Sequence, residues 1–172
     1  NIYHNASGAN RLWELDPIPL IIEETAWRTM EAGLQQRAHL LNLVLQDLYG
    51  SQHLLKDRIL PLELVYRHKG FLRPCVGMPH KDTRNLLLYS ANMAISRDGR
   101  PWVISDRVQA PSGAGYALEN RMAVTRITPE LFNGLKVSRL SPFFEQLDKS
   151  LQALSPQKNN NARIVILTPG PN

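Results

Sequence analysis

The chain has 172 residues, 43% of them hydrophobic and 20% charged, which suits one soluble domain, or one domain and part of another. No apolar run approaches the roughly 20 residues that cross a bilayer, and a single cysteine excludes an internal disulfide, so we expect a cytoplasmic protein without a membrane partner. The net charge of +5 comes from scattered basic residues with few aromatic residues between them, a pattern that favours a solvated basic surface over a nucleic-acid platform.

The first half of the chain is predicted to be helical after an irregular start. Residues 1–19 lack periodicity, and the prolines near their end enforce an extended path; residues 20–22 follow as a short apolar strand. A long helix is then predicted from Glu23 to Tyr49, because apolar residues recur at spacings of three and four and Gly50 supplies a stop. The shorter predicted elements are helices over 52–59 and 61–66 and a loop-rich stretch over 67–84.

From residue 85 the apolar pattern changes to that of a β-hairpin. Residues 86–89 and 93–95 are predicted to run antiparallel to residues 102–104, and Arg97-Asp-Gly-Arg100 is a strong turn signal between them. The later predicted elements are a helix over 116–126, a helical turn over 129–135, a helix over 141–154, a polar linker over 157–161 and an apolar strand over 163–167.

This order of elements predicts an α+β fold in which helices pack on an antiparallel hairpin. We expect one domain over residues 1–155, a linker over 156–162 and, from residue 163, the first buried strand of a truncated α/β domain. The chain begins at Asn1 and stops just after that strand. We therefore expect a fragment of a longer polypeptide, inactive when isolated.

The densest functional signal is the segment from Trp102 to Arg121, in which an apolar strand, a small-residue loop and a helix follow one another. Pro111-Ser-Gly-Ala-Gly115 suits a phosphate loop, because glycines allow positive φ and successive backbone N–H groups converge on an anion. The loop has neither the Lys-Ser/Thr ending of a P-loop nor the three glycines of a dinucleotide fingerprint. Taken alone, it is equally well an ordinary strand-to-helix turn.

Charged side chains flank this loop. Asp106, at the end of a strand, suits Mg²⁺, which prefers carboxylate and amide oxygens, or it caps a loop. Arg107 and Arg121 suit phosphate or carboxylate recognition through a two-bond guanidinium fork, or pair with nearby acids. The other polar side chains of the segment, either ligand-binding or solvated, are Gln109, Glu119 and Asn120. Their density around one glycine loop favours a ligand site.

The segment Asp106-Arg-Val-Gln-Ala-Pro-Ser-Gly-Ala-Gly-Tyr-Ala-Leu-Glu-Asn-Arg121 resembles the signature of the circularly permuted ATP-grasp type 2 family. The resemblance extends over most of the chain. Further matching pieces are Asp16-Pro-Ile-Pro-Leu20, Gln36-Arg-Ala-His-Leu-Leu-Asn42, Asp47-Leu-Tyr-Gly50, Gly70-Phe-Leu-Arg-Pro-Cys75, Pro129-Glu-Leu-Phe132 and Leu167-Thr-Pro-Gly-Pro171.

The resemblance implies an ATP-grasp-like partial domain related to the glutathionylspermidine and eukaryotic glutathione synthetases. Such enzymes use ATP and Mg²⁺ to activate a carboxylate as an acyl phosphate, which an amine then attacks. It also implies a bacterial protein whose small-molecule or peptide substrates carry the carboxylate and the amine. Members of the family occur with an α-E helical domain and a transglutaminase-like protein, which are the partners it implies.

The resemblance also implies roles for individual residues. The related enzymes hold Mg²⁺ through oxygen ligands on two neighbouring strands, and the matching positions are Asp106 and Asn92. Asn92 stands in Tyr89-Ser-Ala-Asn92, where the pattern of the relatives has Asp, and its neutral oxygen is a weaker Mg²⁺ ligand. The catalytic candidates are Arg107 and Arg121, and the nucleotide-binding candidates are Gln109, Ser112, Gly113, Gly115, Glu119 and Asn120.

Two functions follow from the resemblance and its one departure. The first is part of an ATP-dependent carboxylate–amine ligase, with Asp106 and Asn92 as metal ligands. The second is a non-catalytic module that uses the same fold to bind a peptide or a partner protein. The Asn at position 92 is the sequence feature that favours the second.

Overall fold

The structure is a computed structural model that describes residues 2–4, 10–12, 14–78, 85–155 and 162–167. In chain order its elements are β1 (Ile2–His4), β2 (Asn10–Leu12), α1 (Glu24–Tyr49), α2 (His53–Lys56), α3 (Leu62–Tyr66), a 3₁₀ turn (Arg73–Cys75), β3 (Ser90–Ile95), β4 (Pro101–Arg107), α4 (Ala114–Ile127), α5 (Pro129–Asn133) and α6 (Ser141–Ala153). Helices combined with antiparallel strand pairs confirm the predicted α+β class.

The chain divides into two compact units. The central unit comprises Ile21–Ser112, and the terminal unit comprises Asn1–Leu20 together with Gly113–Asn172. This division follows from packing and leaves the predicted domain limits of 1–155, 156–162 and 163–172 as predictions.

Helix α1 is the longest element of the central unit, and its predicted limits are confirmed to within one residue at the start. It contains no proline, and its apolar stripe includes the buried Met30. At its end the Gly50 amide donates to the Asp47 carbonyl oxygen over 3.1 Å, which closes the last turn at the predicted stop.

Asn42, on α1, fixes the chain that leads into the hairpin. Its Oδ1 atom accepts hydrogen bonds from the backbone amides of Asn85 at 2.8 Å and Leu86 at 2.9 Å. Residues 86–89 were predicted as strand, and that prediction is wrong: β3 begins at Ser90. For Leu86 the physical reason is that its amide, bonded to the Asn42 side chain, is not available to a strand ladder.

Asp47, also on α1, starts the next helix. Its Oδ1 and Oδ2 atoms accept the backbone amides of His53 and Leu54, each at 2.9 Å. Burial raises the pKa of Asp47, but the amide hydrogen bonds and one from the Ser51 hydroxyl outweigh burial and leave that pKa below its ordinary value. The helix predicted over 52–59 shortens to α2, and α3 begins one residue after Pro61.

Strands β3 and β4 form the predicted antiparallel hairpin around the predicted turn. The turn closes through a 2.9 Å bond from the Ser96 amide to the Arg100 carbonyl, and Gly99 adopts a φ of 79°. The pairing register shifts between Asn92 and Met93, which leaves Ile104 as the extra residue of a β-bulge.

The terminal unit contains the helices predicted from periodicity in slightly altered form. Helix α4 starts two residues earlier than predicted, α5 is shorter, and α6 matches its prediction to within one residue. Val124 of α4 is the buried side chain of this unit among the described residues.

Three predictions for short segments are wrong. Residues 1–19 contain the antiparallel pair β1–β2 rather than irregular chain alone. Residues 20–22 are coil with exposed side chains, and residues 163–167 are coil in which Leu167 is 97% exposed. An apolar run becomes a buried strand only beside a partner strand, and among the described residues neither run has one. The polar linker predicted over 157–161 lies outside the described residues.

Across the described parts of the chain, no helix combines the length and the apolar character that crossing a membrane requires.

The Asp47 contact predicts a specific acid dependence of stability. Asp47→Asn removes the ionised acceptor of two amides and is expected to cost about 1 kcal/mol at neutral pH. Because the folded-state pKa lies below the unfolded one, the contribution of the carboxylate is complete above its ordinary pKa and is lost as the pH falls through the folded value. The difference between wild type and variant should therefore shrink in acid.

Urea unfolding at several pH values between neutral and strongly acidic measures this difference. Asp57→Asn, which changes an exposed carboxylate after the same short helix, controls for the loss of a charge alone. A difference between wild type and Asp47→Asn that stays constant across the acid range would contradict the prediction.

Candidate functional site

Asp106 is the best-organised of the predicted site residues. It lies at the end of β4, where a two-bond fork from Arg37 of α1 holds it: Arg37 Nε donates to Oδ1 over 2.7 Å, and Nη2 donates to Oδ2 over 2.8 Å. The side chain of Asp106 is 24% exposed and that of Arg37 is 46% exposed. This geometry is the bidentate arrangement that makes Arg–carboxylate pairs directional.

Tyr89 completes the cluster around Asp106. Its hydroxyl donates to Asp106 Oδ1 over 2.6 Å. The hydrogen bonds from Arg37 and then Tyr89 hold the pKa of Asp106 below its ordinary value, while burial and then the hydrogen bond to Asp106 raise the pKa of Tyr89 to about 12. Asp106 is therefore a carboxylate and Tyr89 a neutral donor across the physiological range.

The number of donors determines what else Asp106 can bind. An ionised carboxylate has about four acceptor positions, two on each oxygen. Oδ1 accepts from Arg37 Nε and Tyr89, and Oδ2 accepts from Arg37 Nη2. One acceptor position on Oδ2 is left for a further donor or cation.

Asn92, the other predicted metal ligand, lies on the opposite face of the hairpin. Directly paired residues share a face and consecutive residues alternate between faces. Asp106 pairs with Ala91, whereas Asn92 pairs with Ser105 and donates to its hydroxyl oxygen over 2.8 Å. The structure therefore does not bring these two side chains together.

The face that carries Asp106 turns toward α1. Met93 and Val103 share this face, and with Met30, Leu40 and other residues of α1 they line a concavity of about 610 Å³. The opposite face is exposed, including Trp102 at 57%. The carboxylate thus points into the space between helix and hairpin, at the end of an apolar concavity.

The loop after β4 has the backbone conformation predicted for a glycine-rich turn. Gly113, with a φ of 121°, precedes the first turn of α4. Ala110 also has a positive φ, of 43°, a conformation that is uncommon for a residue with a Cβ. The other candidates here are exposed: Arg107, Gln109, Ser112 and Gly115.

Arg121, predicted as catalytic, is held within the terminal unit. Its Nη1 donates to the Ser138 carbonyl oxygen over 3.1 Å, and its guanidinium carbon lies 5.9 Å from the centre of the Phe132 ring. These contacts tie the segment after α5 back to α4. Of its predicted neighbours, Glu119 is exposed and Asn120 is half-buried.

The predicted site residues thus divide between the units. Asn92, Asp106, Arg107, Gln109 and Ser112 belong to the central unit, and Gly113, Gly115, Glu119, Asn120 and Arg121 belong to the terminal unit. Within the central unit, the structure joins Asp106 to two residues that the sequence did not single out.

Arg37 and Tyr89 are those missed residues, and both lie in segments that the sequence analysis had quoted for other reasons. Arg37 is a charged residue between the apolar positions of α1, and it stands in Gln36-Arg-Ala-His-Leu-Leu-Asn42. Tyr89 begins the tetrapeptide that ends at Asn92. Nothing local in either segment points to Asp106, from which Arg37 is 69 residues distant in sequence.

The described side chains around Asp106 do not offer the set of ligands that a metal ion requires. Among the residues that the structure describes, no group of three or more His, Cys, Asp or Glu side chains could hold a metal ion. Asp106 offers one free acceptor position beside a guanidinium. As arranged, these side chains do not form a site for a bare divalent cation.

Comparison with known proteins finds a matching family model and several similar proteins. A family model described as "Circularly permuted ATP-grasp type 2" matches residues 19–172. The chain is 36% identical to the uncharacterized protein sll0335 of Synechocystis sp., over 99% of this chain and 36% of that protein. It is 35% identical to the uncharacterized protein Rv2567 of Mycobacterium tuberculosis, over 92% of this chain and 18% of that protein.

A third relative is similar over nearly the whole chain. The uncharacterized protein Rv2411c of Mycobacterium tuberculosis is 32% identical over 98% of this chain and 31% of that protein. The chain therefore spans about a third or less of the length of these curated relatives.

The loop conformation predicts opposite effects for two neighbouring glycines. Gly113→Ala places a Cβ on a residue with a φ of 121° and is expected to cost about 1–2 kcal/mol. Gly115→Ala adds a Cβ in the first turn of α4, where it meets no atom within 4 Å, and should stabilise the protein by up to about 0.5–1 kcal/mol.

Urea unfolding of the two variants side by side measures the difference, with each variant serving as the control for the other. Equal effects of the two substitutions would show that Gly113 does not adopt the positive φ.

Proposed function

Since the chain belongs to the circularly permuted ATP-grasp type 2 family, we propose that it is part of an ATP-dependent carboxylate–amine ligase. In the proposed reaction ATP phosphorylates a carboxylate, and an amine displaces phosphate from the acyl phosphate to form an amide bond. The chain would contribute an ATP-grasp-like partial domain to a longer enzyme related to the glutathionylspermidine and eukaryotic glutathione synthetases.

The observation that carries the proposal is the state of Asp106. The fork from Arg37 and the hydrogen bond from the Tyr89 hydroxyl keep Asp106 ionised and oriented at the end of β4, and they leave one acceptor position on its Oδ2 atom. An ionised, oriented carboxylate is the kind of oxygen ligand that the cation of a bound nucleotide uses.

Mg²⁺, when bound with ATP, would neutralise phosphate charge and polarise the transferred phosphoryl group. We assign its protein contact to the Asp106 carboxylate. Asn92 was predicted as a second ligand; on the opposite face it would reach the same ion only after a one-residue change in strand register.

The remaining candidates are proposed to act on the nucleotide and on the developing negative charge. Backbone amides from Ser112 to Gly115 would bind phosphate oxygens. Arg107 and Arg121 would stabilise the transferred phosphoryl group, Arg121 only after leaving the Ser138 carbonyl. Further polar contacts to the nucleotide are proposed for Gln109, Glu119 and Asn120.

Substrates and partners follow from the same proposal. The substrates would be a small molecule or peptide with a free carboxylate and a second molecule with a free amine. An α-E helical domain and a transglutaminase-like protein are the proposed protein partners, and a bacterial cytoplasm is the proposed compartment.

The second candidate function is a non-catalytic module that binds a peptide or a partner protein. The pairing of Asp106 with Arg37 and the position of Asn92 on the other hairpin face favour it, because both reduce what the chain offers a metal. Release of ADP separates the two functions: a ligase releases ADP when acid and amine substrates are both supplied, whereas a binding module does not.

Isothermal titration of Mg²⁺–ATP into the full-length protein tests the proposed role of Asp106. Asp106→Ala is expected to weaken binding at least about tenfold, since it removes the one carboxylate assigned to the cation. Asp98→Ala is the matched control, because Asp98 lies in the turn of the same hairpin and pairs locally with Arg100. Unchanged binding and turnover in Asp106→Ala would remove Asp106 from the site.

A further inference from the structure

Asp106 already binds a cation, and that cation is part of the protein. Arg37 uses two nitrogens to contact both carboxylate oxygens, at 2.7 and 2.8 Å. A divalent cation on the remaining acceptor position of Oδ2 would therefore lie next to a guanidinium on the same oxygen. Two like charges that share one carboxylate oxygen oppose each other's binding.

We propose that Arg37 is the resident counter-ion of Asp106, so that a free divalent cation binds this carboxylate only after Arg37 has been displaced. Arg37 thereby selects for a cation that arrives with an anion able to accept the guanidinium, such as the phosphates of a nucleotide. This inference rests on the proposed function in one respect, the assignment of Asp106 as the carboxylate that meets the cation.

The surroundings of Arg37 leave room for such a displacement. Its side chain is 46% exposed. Side chains on a helix lean toward the preceding turn, and the residue one turn before Arg37 is Gly33, where even an added Cβ would meet no atom within 4 Å. Gly33 and Arg37 both line the concavity of about 610 Å³, so there is open space next to the Arg37 side chain.

A structural ion pair alone would not produce this selection. If Arg37 only joined α1 to the hairpin, its neutral replacement would loosen the protein and leave cation binding as weak as before. If Arg37 occupies the cation's place, the same replacement creates a cation site that wild type lacks. The two interpretations therefore predict different results for cation binding when Arg37 is replaced by a neutral residue: no gain for a structural ion pair, and a gain for a resident counter-ion.

Binding of Mn²⁺ without nucleotide, followed by electron paramagnetic resonance of the free ion, tests the inference in the full-length protein. We expect Arg37→Gln to bind Mn²⁺ at least about tenfold more tightly than wild type, because the substitution removes the competing positive charge and leaves Asp106 in place. Adding Asp106→Asn to Arg37→Gln should abolish the gain.

Three variants serve as controls. Arg28→Gln removes an arginine from the same helix that pairs with Glu24, and it should bind Mn²⁺ as wild type does. Arg37→Lys keeps the positive charge and should also remain at the wild-type level. Asp106→Asn alone should bind no less Mn²⁺ than wild type, and a loss of Mn²⁺ binding in this variant would overturn the inference even if Arg37→Gln does not fold.

The outcomes separate this inference from the proposed function. Wild-type binding of Mn²⁺ that depends on Asp106, or no gain in a folded Arg37→Gln, overturns the inference. If the inference about Arg37 is overturned but Asp106→Ala weakens Mg²⁺–ATP binding, the proposed function still stands. A gain of Mn²⁺ binding in Arg37→Gln, in a protein that binds no ATP, supports the inference and overturns the proposed function.

Discussion

The ion pair between Arg37 and Asp106 is the contact on which the site of the central unit depends. It joins the middle of α1 to the end of β4, across 69 residues of sequence; it lowers the pKa of the carboxylate and sets its direction. Tyr89 adds a third donor and confines the free acceptor capacity of Asp106 to Oδ2. What Asp106 can bind is therefore a property of α1 as much as of the strand that carries it.

Polar side chains of α1 organise the rest of the same unit. Asn42 receives two amides before β3, Asp47 receives two amides at the start of α2, and the Tyr49 hydroxyl receives the Leu72 amide over 3.1 Å. Tyr49 also packs on Phe71, with ring centres 5.0 Å apart. Buried apolar side chains contribute less: among the described residues of this unit they are Met30, Leu55 and Val65. Directional bonds from one helix thus position the loops and the hairpin.

The sequence pattern correctly predicted those helices and turns that are determined by residues close together in the chain. The spacing of apolar residues gave α1 and α6 their limits, and Arg97-Asp-Gly-Arg100 located the hairpin turn. Residues 86–89 and 163–167 were misjudged because an apolar run does not reveal whether its amides have a strand partner. Asp106 could be chosen as a candidate from its motif. Its bond to Arg37 could not be predicted, because a contact between residues far apart in the chain produces no periodic pattern in the sequence. The opposite facing of Asn92 follows from the strand register, which the residue types alone did not reveal.

A pair of double-mutant cycles measures the coupling between α1 and the hairpin directly. One cycle combines Arg37→Ala with Asp106→Ala, and the other combines Arg28→Ala with Glu24→Ala, an exposed pair on the same helix. Urea unfolding of the single and double variants should give a clearly larger coupling free energy for Arg37 and Asp106, because their geometry is bidentate and Asp106 is mostly shielded from water. Additive effects of Arg37→Ala and Asp106→Ala would contradict the account, since the carboxylate would then not be held by α1.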